Sequence, residues 1–291
     1  MSTPAPTLDV ERELAARRGP GRRIVVGVDE VGRGALAGPV AVGACAIELL
    51  DGVAAPLPEG VRDSKKLTAR RRSALVDPIL AAAHAGAVGW ATGAEIDELG
   101  IMPALTSAAL RALDALDLGS EIDAIVLDGD VDVLTAGLTT AEHPAPLVHL
   151  QVAADRDCVS VAAASILAKV ARDEHMVALD AVAPEYCWAS NKGYGSAVHR
   201  EAIDRLGAHE HHRRSWRLGS RPVARRVTAS LPVPVTELVP VTAPVPGPAP
   251  TATGSDGFLA VPGEAGSLSG TGDAGVLWDD LWYPQDGKER R

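Results

Sequence analysis

Aromatic side chains are scarce in this chain: one Phe, three Tyr and five Trp in 291 residues, or 3%. A core built on stacked rings is therefore excluded. The interior has to come from Ala, Val, Leu and Ile, which dominate a hydrophobic fraction of 46%. Cysteine is equally sparse. Cys45, Cys158 and Cys187 are odd in number and far apart, with no Cys-x-x-Cys. Neither a disulfide framework nor a zinc-thiolate site organises such a chain, and a reducing cytoplasm fits it. No uncharged apolar run approaches the roughly 20 residues that span a bilayer. No signal-peptide pattern opens the chain either, since Arg12, Arg17, Arg18, Arg22 and Arg23 interrupt its first turns. A soluble, cytoplasmic protein, monomeric by default and without internal repeats, is expected.

Positive charge is also in deficit. The formal net charge is −10, which at first sight excludes a nucleic-acid partner. The basic residues are clustered, however. Arg62, Lys65, Lys66, Arg70, Arg71 and Arg72 form one group; Arg200, Arg205, Arg213, Arg214, Arg217 and Arg221 form another, around His209, His211 and His212. Screening confines each charge to a reach of about 10 Å, so a local basic stripe binds phosphates on an acidic protein. Either group alone reads equally well as a solvated helix face.

Along the chain, residues 1–21 read as a short arm with one helix near Leu8–Arg17. Ile24–Glu30 reads as a buried strand and Pro39–Ile47 as its hairpin partner. Thr68 suits the N-cap of a helix to about Ala83, with Leu75, Ile79 and Leu80 on one face. Val88–Thr92, Ala124–Leu127 and Leu147–Val152 read as further strands. Pro103–Leu116, Val159–Val182 and Ser196–Leu206 read as helices. Strands alternating with helices indicate an α/β domain over residues 22–221. From residue 222 onward, Pro, Val, Thr, Gly and Ser replace any periodic apolar face, and a disordered or extended tail over 222–291 is expected. Its aromatic and acidic end, Val276–Tyr283, suits a protein-docking peptide and equally a plain sticky terminus.

Chemistry concentrates in Gly27-Val28-Asp29-Glu30-Val31-Gly32-Arg33-Gly34. Two adjacent carboxylates close an apolar run, and a Gly-Arg-Gly turn follows. Hard divalent cations prefer such oxygen ligands, and flanking glycines let a backbone approach a phosphate or sugar closely. Asp128 and Asp155 also follow apolar strand runs. Strand ends on one edge of an α/β sheet converge on a common site. Asp29, Glu30, Asp128 and Asp155 are therefore the candidate ligands and catalytic acids. Four carboxylates in one cleft repel unless protonated or neutralised. Two divalent ions supply the matching charge and the chemistry of phosphodiester hydrolysis. One geometric objection stands: neighbours on a regular strand point to opposite faces, so Asp29 and Glu30 share a site only if the strand ends or twists there.

Other acids drop out. Asp173 lies a full helix length, about 27 Å, beyond Asp155 and reads as a surface or salt-bridging residue. Asp128-Gly-Asp130-Val-Asp132 starts like a calcium loop, but Val133 and Thr139 stand where Gly and Glu are needed. The histidines near 209–212 have arginine neighbours, which favour packing or backbone contact over metal ligation.

Asp29-Glu30-Val31-Gly32-Arg33-Gly34 is followed in order by Asp63-Ser64-Lys65-Lys66-Leu67, Leu127-Asp128-Gly129, Ala162–Val170 with Arg172-Asp173, Lys192-Gly193-Tyr194-Gly195 and His212-Arg213-Arg214-Ser215-Trp216. The set closely resembles bacterial ribonuclease HII, the type 2 ribonuclease H, over about residues 22–218. The resemblance implies an RNase H-like fold: a mixed central sheet flanked by helices, with a helical C-terminal part. It implies cleavage of RNA in RNA–DNA hybrids, and incision 5′ to single ribonucleotides in duplex DNA, leaving 3′-hydroxyl and 5′-phosphate ends. Such an enzyme removes ribonucleotides from DNA.

By motif, Asp29, Glu30, Asp128 and Asp155 become ligands for Mg²⁺ or Mn²⁺. The resemblance further implies that Gly32, Arg33 and Gly34 contact the ribose 2′-hydroxyl and the phosphate at the RNA–DNA junction, with Tyr194 packed on the adjoining sugar. It implies that Lys65 touches the scissile-side phosphate, and that Ser165 and Lys169 meet the DNA backbone or support the site. The 2′-hydroxyl is what separates RNA from DNA at one position, which gives that sensor its logic. Asn191 before Lys192 and Asp130 after Gly129 depart from the family pattern. The related ribonuclease HIII carries a different turn after its acidic pair and an added N-terminal platform. The rival readings are another nuclease of the same fold cutting DNA branches, and a non-catalytic hybrid-binding protein.

Overall fold

A computed structural model of the chain describes residues 5–118, 121–138 and 145–219. All of them fall within one compact unit. The tail over 222–291, with its docking run, and position 139 of the rejected calcium loop lie outside the described residues.

Five strands form one mixed sheet. They are β1 (Arg22–Val31), β2 (Val40–Leu50), β3 (Ala85–Ala91), β4 (Ile122–Asp128) and β5 (Leu147–Gln151), in the spatial order β3-β2-β1-β4-β5. The β1–β2 and β2–β3 pairs are antiparallel; a short turn joins β1 to β2, and a longer connection joins β2 to β3. The β1–β4 and β4–β5 pairs are parallel and need crossovers. Helix α2 (Ala69–Ala82) precedes β3 and α4 (Ile101–Asp114) precedes β4. The long helix α6 (Val159–Asp180) follows β5 and lies under the centre of the sheet.

The shortage of aromatics explains how these layers meet. On one face, Ile24, Val26, Val28, Val42 and Ile125 pack on Leu105, Ala108, Ala109 and Ala112 of α4. On the other, Val25, Ala41 and Cys45 pack on Val161–Ala164 of α6 and its neighbours. Helix and sheet approach so closely that a Cβ on Gly27 would come within 2.3 Å of the Ser160 and Val161 backbone. On Gly43 it would come within 2.1 Å of the Ala164 carbonyl, and on Gly89 within 2.1 Å of the Ala108 carbonyl. Glycine in the strand and alanine in the helix together set the spacing.

The arm is part of this body. Helix α1 (Asp9–Arg17) buries Leu14 and Ala15 against Val25, Ala124 and Val126. Its Glu11 carboxylate is fully buried and accepts from the N–H and hydroxyl of Ser160, in the first turn of α6, at 3.0 and 2.7 Å. The C-terminal part adds α7 (Trp188–Asn191) and α8 (Ala197–Leu206). There Tyr186 stacks on Trp188 with ring centroids 5.2 Å apart, beside buried Leu36, Met176 and Ile203.

The helix expected after Thr68 forms with Thr68 as its cap, the side chain accepting from the Arg71 N–H. Helix α3 (Gly93–Leu99) was not anticipated. Its signal is a capping box in which Thr92 and Glu95 satisfy each other's backbone N–H groups. A short α5 (Thr135–Leu138) is capped by Asp132, whose Oδ1 accepts from the N–H groups of Leu134 and Thr135.

Candidate active site

The expected end of β1 at Glu30 is corrected by the ladder. On the β2 side, Asp29 faces Gly43, Glu30 faces Val42 and Val31 faces Ala41, so the strand runs on through both acids. On the β4 side, pairing stops at Val28–Leu127. The acids therefore sit in a strand with one open flank. Alternation sends Asp29 to the α6 face, where it is buried, and Glu30 to the α4 face. Asp128, the last residue of β4, stands at the open flank and interacts with both. The two neighbours meet through the gap beside the strand end rather than through a break in the strand.

Asp155 lies in a single 3-10 turn, Ala154–Arg156, entered through Ala153 with φ 58°. That turn places the Ala154 N–H on Asp128 Oδ1 at 2.7 Å, so one carboxylate positions the backbone that carries the other. Asp63, in the turn before α2, completes the group. It accepts from the Lys65 N–H at 2.9 Å, and its charge is the one that most raises Asp155. Asp63 was read as part of a motif and not as a member of the acidic cluster, because no apolar strand precedes it.

These carboxyls are hard to ionise together. Burial pushes Asp29 up to about 8; a hydrogen bond from Ser165 opposes this, and Asp128, Glu30 and Asp155 add to it. Burial also raises Glu30, with Arg33 opposing at 3.7 Å. Burial and then Asp63 raise Asp155, with Lys65 opposing. Asp155 Oδ2 is buried, and among the described residues no group lies within hydrogen-bonding distance to donate to it; the Lys65 ammonium stands 3.9 Å away. A desolvated carboxylate oxygen left without a donor is costly and fits the place of a cation ligand.

The Gly32–Gly34 turn is held from behind by two buried arginines. Arg213 donates to the carbonyls of Gly32 at 2.7 Å, Arg33 at 2.8 Å and Gly38 at 3.1 Å. Arg172 donates to Pro39, Lys192 and Ala37. Its guanidinium fills the space that a side chain on Gly32 would need, and Gly32 has φ 89°. Arg213 was grouped with the surface charges; it is instead fully buried, and burial lowers it to about 9. Neither arginine was assigned a role, because nothing in a sequence separates a buried guanidinium from an exposed one.

The remaining candidates fall in two groups. Tyr194 is partly exposed beside this turn, its ring 5.5 Å from the Arg172 guanidinium, and the Lys65 side chain is well exposed. Ser165 is buried, 3.0 Å from the Ser64 hydroxyl and bonded to Asp29. Lys169 is paired at 2.6 Å with Asp173, which also meets Arg72. Supporting the site is the role these placements fit. His209, Glu210 and His211 bring three ligand atoms within 4.8 Å of one another, away from the carboxylates, and the His209 ring packs on Tyr186 and Trp188.

A mixed five-stranded sheet with acids gathered where β1 and β4 part company defines a nuclease of the RNase H-like fold. The family model described as ribonuclease HII matches residues 26–218. The chain is 45% identical over 215 residues to a ribonuclease HII of Streptomyces griseus, covering 72% of this chain and 84% of that protein. It is 46% identical over 213 residues to a ribonuclease HII of Ruegeria, covering 73% and 84%. Among solved structures, the PCNA:RNase HII complex from Archaeoglobus fulgidus is similar in fold, at 24% identity and a TM-score of 0.51, covering 69% of this chain and 98% of that one. The chain belongs to the ribonuclease HII family and is a hydrolase of the ribonuclease H type.

Proposed function

We propose that this enzyme cleaves RNA in RNA–DNA hybrids and incises duplex DNA 5′ to single embedded ribonucleotides, leaving 3′-hydroxyl and 5′-phosphate ends. The observation that carries this reading is the juxtaposition of the acidic cluster with the arginine-held Gly32–Gly34 turn. The donor set is all oxygen, which suits Mg²⁺ or Mn²⁺. Asp29, Glu30, Asp128 and Asp155 would hold two such ions, which supply an activated water and a clamp on the leaving oxygen. Lys65, exposed 3.9 Å from Asp155, would meet the scissile phosphate.

Specificity rests on the turn. A Cβ on Gly34 would meet no atom of the described residues within 4 Å, so the missing side chain leaves room for what arrives from outside. Arg213 and Arg172 occupy carbonyls of the turn and of the residues after it, and among the described residues the N–H groups of Arg33 and Gly34 have no acceptor. These N–H groups and the Arg33 side chain face a 2′-hydroxyl and its phosphate, and Tyr194 packs on the neighbouring sugar. DNA offers no 2′-hydroxyl for this arrangement to read, which disfavours a DNA-branch nuclease; the full set of acids disfavours a non-catalytic binder.

The test is cleavage, with Mg²⁺ or Mn²⁺, of three substrates: duplex DNA with one ribonucleotide, a long RNA–DNA hybrid and all-DNA branched duplexes. Incision of the first two, and not the third, is expected. Cutting of branched all-DNA substrates, or no cutting of any, refutes the reading.

A further inference from the structure

Tyr194 is partly exposed, its ring meets the buried Arg172 guanidinium, and among the described residues no hydrogen bond holds its hydroxyl. Its backbone is held instead, and by an unusual device. The ring nitrogens of His199 and His212 face each other, Nε2 to Nε2, at 3.0 Å, and both histidines are buried. Their protons can be assigned from their partners. His199 Nδ1 lies 2.9 Å from the Tyr194 carbonyl. A carbonyl only accepts, so Nδ1 carries the proton and the neutral ring presents Nε2 as an acceptor. The buried Trp188 indole donates to that Nε2 at 3.0 Å. His212 Nε2 must then donate to it as well, which leaves His212 Nδ1 to accept from the His209 backbone N–H at 2.9 Å. The opposite assignment, with His212 Nδ1 donating to the His209 carbonyl at 3.3 Å, sets two lone pairs face to face and orphans the His209 N–H. Burial lowers both imidazoles, His212 to about 3, in keeping with neutral rings.

We propose that His199 and His212 are positioning residues: a one-way chain of hydrogen bonds from the His209 N–H through both rings to the Tyr194 carbonyl fixes Tyr194 opposite the Gly32–Gly34 turn. The next residue after His212 is Arg213, which grips the turn itself. One dipeptide therefore ties both halves of the ribose-reading surface together. The Ser196 N–H also donates to the Tyr194 carbonyl, at 2.8 Å, and the Tyr194 N–H donates to Asn191, so the peptide is fixed on both sides. A sub-ångström loss of register is enough to matter, since misplacement by about 1 Å costs up to roughly 100-fold in rate. This role rests on the reading of Tyr194 as a sugar contact.

Two measurements test it. Nitrogen-15 NMR of the histidine rings should show His199 protonated on Nδ1 and His212 on Nε2 in the folded enzyme; a proton on His199 Nε2 overturns the relay, whatever the activity. In kinetics, His199→Leu should lower kcat/KM for a single-ribonucleotide duplex by about tenfold or more relative to a long hybrid. His199→Asn, whose amide can still donate to the Tyr194 carbonyl, should recover most of the loss. In a Tyr194→Ala background neither change should alter that ratio further. Equal losses on both substrates, or effects that add to Tyr194→Ala, overturn the positioning role. If Tyr194→Ala itself leaves the substrate ratio unchanged, the sugar-contact reading falls and the role of the relay falls with it, while the tautomer result separates that case from a wrong relay.

Discussion

At the scale of single residues, the site is an arrangement of charges that the bare protein holds with difficulty. Asp29 is the clearest case, being buried, raised to about 8 and surrounded by three other acids. Replacing it with the neutral isostere removes a cost to folding and, on the proposed mechanism, a metal ligand at once. Asp29→Asn should therefore keep or raise the thermal midpoint while lowering incision more than about 100-fold, since loss of even an outer partner costs 10- to 100-fold. Thermal unfolding and a single-turnover incision assay on the same sample check both halves; full activity sinks the ligand assignment. The two buried arginines show a different economy. Among the described residues each donates its hydrogen bonds to three backbone carbonyls, and planar guanidinium donors reach several at once where a lysine cannot.

At the scale of elements, close approach is the governing feature. Strand β1 lies so near α6 that Gly27 cannot carry a methyl group without meeting backbone. Gly27→Ala should cost about 1–3 kcal/mol, as overpacking does, and it should also weaken incision because Asp29 is two residues along the same strand. Urea denaturation gives the first value; a variant as stable as the parent refutes this account of the packing. Helix α1 is anchored to the start of α6 by Glu11. Glu11→Ala strands the Ser160 N–H and hydroxyl in the core, where an unsatisfied group costs about 1–3 kcal/mol. Hydrogen exchange in α1 should rise in step with the loss of stability, and unchanged protection there counts against docking through Glu11.

At the scale of the whole molecule, buried titratable groups give stability a shape against pH. Burial lowers His175 to about 4 and His212 to about 3, and lowers His199 and His211 as well. The unfolded chain takes up these protons near pH 6.5 and the folded chain does not, so this contribution is complete above pH 6.5 and is lost as pH falls toward 4. The raised acids Glu11, Glu30 and Asp155 act in the opposite sense: the folded state holds their protons to higher pH, and their ionisation costs stability as pH rises. His175 is the cleanest reporter, because its ring contact is with Trp90 at 5.6 Å. Any stability advantage of the parent over His175→Gln at pH 7 should shrink by pH 5 in paired urea titrations. A difference that does not change with pH rules out a neutral His175 in the fold.

The sequence by itself determined the alternation of strands and helices, the cap at Thr68, the acids Asp29, Glu30, Asp128 and Asp155 as candidates, and the resemblance carried by six short motifs in order. These are local properties: apolar period, capping chemistry and residue type are all written within a few positions. Only the tertiary structure decided how Asp29 and Glu30 share a site, because that depends on where β4 stops pairing with β1, a contact about 100 residues distant. It also brought Asp63 to Asp155, buried Ser165, Arg172 and Arg213, and faced His199 with His212. Burial and proton position are set by neighbours far away in sequence, and no count of local pattern contains them.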